Sequence, residues 1–263
     1  MLEIKKGWKL YFSILIFGVV SALTTTAGLS SNALQSVGSA LGGAVYWSEG
    51  NNEIVYLLTI STIMFVRMIP LLYLIKNSFN IEVWYCMTRY HNKYKWFLNK
   101  IFSISMAAFF VTAFHVLSCC IILFAKGILT YQAIKESYRL IITLTLLEFF
   151  YTELITVFLN TLSIVCPAKF ILPIGESLSL IMAFICRLEQ VTERSSSFNP
   201  FTHVQFVNHI EAREFFNEHQ VVFVFQHLKL SDSLLFFSTC IIMVIWGGVL
   251  VLNRVNLGLL LED

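Results

Sequence analysis

Charge is what this sequence has least of. Only 13% of its 263 residues are Asp, Glu, Lys or Arg, where an average soluble domain carries about 25%. Hydrophobic residues make up 57%, 24 of them Phe, and the mean hydropathy is +0.74. That leaves too little polar surface to disperse a soluble globule, and the composition implies an integral membrane protein. The formal net charge of +2 is too small a basic excess to point to a partner, and no nucleic-acid partner is expected.

Signature motifs are missing as well. There is no GxxxxGK[ST] loop, whose backbone amides cradle phosphates, and no Rossmann glycine fingerprint. Any energy source must therefore come from another chain. No HExxH, no GxSxG and no adjacent glutamates occur, so a catalytic role is not expected. The six Cys show no CxxC spacing, and those in apolar runs read as small hydrophobes.

What the chain has is hydrophobic length. A spanning helix needs roughly 20 mainly apolar residues, and six stretches qualify: about 8–27, 54–75, 101–125, 140–166, 170–186 and 234–252. The expected fold is all-α, one polytopic domain over 1–263. The tract from Leu140 to Cys186 is too long for one crossing. Pro167 and Pro173 flank the start of its second half, and proline ends helices by losing a donor and crowding the preceding turn. A turn is predicted at Cys166–Pro167–Ala168–Lys169.

Lys and Arg in the short connections set orientation. With the N-terminus inside, ten basic residues fall in inside segments: Lys5, Lys6, Lys9, Lys76, Arg89, Lys93, Lys95, Lys100, Lys169 and Arg254. Seven are spread over the longer outside loops. Both termini are expected in the cytoplasm. The N-terminus has the basic start of a signal peptide but no convincing cleavage site, and is read as an uncleaved first span.

The first outside loop, Leu29 to Glu53, holds Gly38 and Gly42 at small-xxx-small spacing, but outside an apolar 20-mer a flexible extracellular connection is expected. The loop from Arg187 to Asp232 is the longest. Phe201, Val204, Asn208, Ile210, Phe215 and Phe216 predict short helices packed on the outer leaflet. Its His203, His209, His219 and His227 lack metal-ligand spacing, and solvated histidines are expected.

Ionisable residues inside spans carry more information, because a charge at mid-bilayer costs about 2.5–3.5 kcal/mol even on the lenient insertion scale. They are Arg67 in the second span, His115 in the third, Glu148 and Glu153 in the fourth, and Glu176 in the fifth. Arg67 and Glu148 lie at similar depths, which predicts an ion pair inside the bundle. Glu148 and Glu153 lie about 140° apart around a helix at 100° per residue, so they do not share a narrow face for acid–base work.

Asn80 to Lys100 is a basic interruption between two hydrophobic runs. Val83, Met87, Tyr90, Tyr94 and Phe97 recur as one helical stripe, with Glu82, Arg89, Lys93 and Lys100 on another face. Trp84, Tyr85 and Trp96 are amphipathic rings suited to the headgroup level. An interfacial cytoplasmic helix is predicted here, breaking near His91–Asn92–Lys93 where the chain turns into the third span.

This layout resembles the membrane subunits of ABC-2-type transporters, in particular small six-span permeases of Gram-positive bacteria that export peptides or confer immunity to them. The resemblance rests on six spans, the string Arg89 to Lys100, Asn199–Pro200–Phe201 in the last outside loop, and the short tail Leu252–Asn253–Arg254. It implies a coupling helix that docks a separate ATPase, which holds ATP and Mg while this chain binds no cofactor, through Glu82, Trp84, Tyr85, Arg89, Tyr90, Lys93 and Lys95. It also implies a second permease, identical or homologous, meeting this one through the second and fifth spans, in the bacterial cytoplasmic membrane. The implied substrate is an amphipathic peptide or lipid-like molecule. Family members often carry an amphipathic helix before the first span, whereas only about seven residues precede Trp8 here. The competing expectation is a stand-alone membrane immunity or sensor protein with no ATPase.

Overall fold

The computed structural model describes residues 2–26, 33–41, 53–72, 74–75, 93–192, 198–205, 208–215 and 228–254. Every regular element among them is helical. In chain order these are α1 (Leu2–Thr25), α2 (Ala33–Ala40), α3 (Glu53–Met68) with a 3-10 turn at Ile69–Leu71, α4 (Lys93–Ala125), α5 (Tyr131–Leu162), α6 (Ala168–Thr192), α7 (Pro200–Val204), a 3-10 turn at Ile210–Glu214, and α8 (Leu230–Arg254).

Four of them are long and apolar enough to cross a membrane, over Tyr94–Ala125, Tyr131–Leu162, Ala168–Glu189 and Leu230–Asn253. The chain is thus an all-helical membrane protein. The first two hydrophobic runs also form helices, but their described apolar parts, Phe12–Thr24 and Leu58–Leu71, are shorter. With 33 residues, α4 is about 50 Å long and overreaches a hydrocarbon core of roughly 30 Å.

Local chemistry explains the ends. Gly127 follows α4 with φ +70°, the left-handed conformation that caps helix C-termini, and Ile128 N–H and Leu129 N–H both donate to Leu123 O. Thr130 then caps α5, its hydroxyl accepting from Ala133 N–H at 3.2 Å. At the far end of α5, Ser163 to Cys166 form the turn, Pro167 is non-helical, and α6 starts at Ala168; the break falls at the predicted proline, but it occupies 163–167 and Ala168 and Lys169 are already helical. Pro173 lies inside α6 without ending it.

α1 and α4 run side by side in the same direction, joined at one end by Lys126 Nζ donating to Thr26 O. α5 returns antiparallel and packs on α4, α8, α2 and α7. It is the central helix: 56% of its most apolar window is buried, against 17% for α8. α8 therefore lies at the periphery, showing Leu235, Ile242, Met243 and Trp246 outward, and Tyr94 Oη donates to Asn253 Oδ1 at its far end. The start of α4, the 163–167 turn and the end of α8 thus share one end of the bundle. Two close approaches set the spacing. A Cβ on Gly175 would sit 2.6 Å from Phe65, and one on Gly248 2.5 Å from Phe97.

Three expectations need correction. The loop expected to be a flexible extracellular connection contains α2, with Val37, Ala40 and Leu41 buried in the main core and packed on α4 and α5. Gly38 is buried there too. Trp96, expected at the headgroups, is buried with Phe97 against Ile101, Val157 and Leu252. The second run is not one helix from 54 to 75, because α3 stops at Met68 before Pro70.

Candidate functional site

Four helices bring polar side chains to the interior of the apolar bundle. Arg67 comes from the last turn of α3, where the partial negative charge of a helix C-terminus favours a cation. It is 1% exposed. Its Nη1 donates to Glu148 Oε2 at 3.0 Å, so the pair expected from depth is formed across 81 residues of chain. His115 of α4 stands on the other side of the carboxylate, Nε2 to Glu148 Oε1 at 4.0 Å. Its Nδ1 is hydrogen-bonded to Ser21 Oγ of α1 at 2.8 Å. Ser21, His115, Glu148 and Arg67 therefore form one line from α1 through α4 and α5 to α3, all buried.

The line is only partly satisfied. Among the described residues no group accepts from Arg67 Nε or Nη2, and the hydroxyls of Thr112, Tyr151, Thr152 and Ser179 have no hydrogen-bond partner. Thr112 lies one turn before His115, and Tyr151 and Thr152 one turn after Glu148. Unpaired buried donors cost about 1–3 kcal/mol each, and a buried pair is retained in spite of its desolvation cost, not because of a net gain. Ionisable groups held inside a membrane bundle normally face its interior or a cavity, which makes them the candidate site here.

Just beyond Arg67 the backbone changes form. Pro70 removes a donor, Ile69–Leu71 tightens to a 3-10 turn, and Leu72 is extended with ψ 149°. Asn160 of α5 bridges the break, Nδ2 donating to Leu71 O at 2.8 Å and Oδ1 accepting from Ile75 N–H at 3.1 Å. One fully buried amide thereby satisfies backbone groups on both sides of a discontinuity that apolar surroundings would not tolerate. Nothing in the sequence reading singled out Asn160. The signal was present in Pro70 within a hydrophobic run and a lone amide within another.

The remaining ionisable residues do not join the line. Glu153 is half-buried and accepts from Ser105 Oγ. Glu176 lies on an exposed face of α6. Of the segment read as a coupling helix, Glu82, Trp84, Tyr85, Arg89 and Tyr90 lie outside the described residues. Lys93 is the first residue of α4, the expected break at His91–Asn92 lying outside the described residues, and Lys95 is exposed in its first turn.

A second polar cluster pins the loop before α8. His203 Nδ1 and His209 Nε2 each lie 2.7 Å from Ser233 Oγ. His203 also stacks on Phe236 at 4.1 Å between centroids, and Glu189 accepts from Thr202 Oγ1. Both histidines are buried, against the expectation of solvated loop histidines, because α7 folds onto α5 and α6. Among the described residues no three His, Cys, Asp or Glu gather as a metal site.

Compared with protein-family models, curated proteins and solved structures, the chain matches none.

Proposed function

We propose that this chain is the membrane-spanning subunit of a transporter of the ABC-2 type, with the ATPase on a separate chain and an amphipathic substrate such as an antimicrobial or toxin peptide. The observation that carries the reading is the buried line Ser21–His115–Glu148–Arg67, polar groups of four helices, three of them ionisable, meeting inside an apolar bundle, since intramembrane ionisable residues commonly mark transport paths. α1 and α3 act as the fifth and sixth crossings, both termini face the cytoplasm, and no phosphate-binding loop is present. The stroke of the ATPases enters through the basic stretch from Asn80 to Lys95, whose end is the first turn of α4.

A second permease, identical or homologous, covers α6. Glu176 supports this, since a carboxylate turned to lipid costs about 2.5–3.5 kcal/mol and an exposed position in the apolar helix is otherwise unfavourable. Packing α6 against another subunit removes that carboxylate from hydrocarbon.

Purification of the tagged chain from its own host tests the reading. A permease brings an ATP-binding chain in about equal amount. Reversal of charge at Arg89, Lys93 and Lys95 releases that chain without lowering membrane insertion. Failure to recover any ATPase refutes the transporter and leaves the stand-alone immunity or sensor protein. Loss of insertion in the charge-reversed variant instead makes the basic stretch a topology anchor.

A further inference from the structure

Arg67 is used on one side only. Glu148 occupies Nη1, while Nε and Nη2, which carry three of the five guanidinium N–H bonds, have no acceptor among the described residues. Nε and Nη2 form the side edge of the guanidinium, two parallel donors matched to two oxygens of one carboxylate or phosphate. The side chain is buried in a bundle whose other walls are Leu, Ile, Phe and Met. Hydroxyls without partners stand on the adjoining turns of α4 and α5, at Thr112, Tyr151 and Thr152.

We propose that the Nε–Nη2 edge of Arg67 is a recognition site for a two-oxygen anion, the carboxylate or phosphate head of an amphipathic ligand. The head takes the fork, and neighbouring hydroxyls donate to its remaining lone pairs. An apolar body is required, because beyond these polar groups the core of the bundle is apolar. Glu148 works against the ligand: it fixes the guanidinium through Nη1, but its negative charge raises the cost of bringing in a second one. This assignment is independent of the ATPase and holds for a permease or for a stand-alone protein.

The test is thermal unfolding of the full chain in a neutral detergent, with octanoate, octyl phosphate, octylammonium and 1-octanol as probes that share one apolar chain. Octanoate or octyl phosphate raises Tm by about 3 °C or more at saturation, and whichever acts identifies the head group. Octylammonium and 1-octanol leave Tm unchanged. Arg67→Lys keeps a cation for Glu148 but loses the fork, and with it the shift. Glu148→Gln lowers the starting Tm and enlarges the shift. Should Arg67→Lys fail to fold, the double variant Arg67→Met/Glu148→Met, which leaves no buried charge, takes its place and shows no shift. Equal shifts from the alcohol or ammonium probe, no shift from either anion, or a shift that survives removal of the guanidinium would each overturn the site.

Discussion

Arg67 Nη1 and Glu148 Oε2 meet at 3.0 Å in the interior of the bundle, with the two side chains 2% and 3% exposed. Removing one partner of such a pair strands the other, at a cost of about 3–5 kcal/mol, whereas replacing both with apolar groups of similar volume is close to neutral. Arg67→Met and Glu148→Met are each expected to lower the unfolding midpoint in detergent sharply, and the double variant to recover most of it. Equal losses in single and double variants would mean that the charges do not act as a pair.

Asn160 should be as critical as either charge. Asn160→Ala leaves Leu71 O and Ile75 N–H without their partner, at about 1–3 kcal/mol for each group. Hydrogen exchange is the sensitive readout: amides around 69–75 should exchange faster in the variant, with α4 little changed. Unchanged protection at Ile75 would show that the break is held by something else.

The two glycines of α8 offer a matched comparison. At Gly248 an added Cβ meets Phe97 at 2.5 Å and Thr161 at 2.9 Å, while at Gly247 nothing lies within 4 Å. Gly248→Ala is expected to destabilise by about 1–3 kcal/mol through overpacking. Gly247→Ala should be neutral or slightly stabilising, since alanine is the better helix former. The order of the two melting temperatures checks the packing of α8 on α4 and α5.

Ser233 holds two imidazoles at 2.7 Å each, and one hydroxyl can donate to only one of them. Ser233→Ala therefore removes one buried polar contact from each ring and is expected to loosen 198–215 from α8. Limited proteolysis in that stretch should quicken by several-fold, while the tight turn at 126–130 stays resistant. A cleavage pattern identical to that of the unaltered chain would show that the stacking of His203 on Phe236 suffices to hold the loop.

The sequence by itself determined the all-helical membrane character, the turn at Pro167 and the depth match between Arg67 and Glu148. Those follow from hydrophobic length, from the missing N–H of proline and from the cost of burying charge, all of which are local or depend on depth alone. Pro70 shows the limit: a hydrophobic window counts it as one more apolar residue, although it ends α3. Only the tertiary structure decided that Asn160 repairs that break, that α2 enters the core, and that His203 and His209 are buried. Each is settled by which helix lies opposite, and hydropathy does not encode that. The sharpest case is Arg67. Its partner was legible from depth, but the free Nε–Nη2 edge depends on Glu148 meeting the guanidinium at Nη1 alone, and only folded geometry sets that angle.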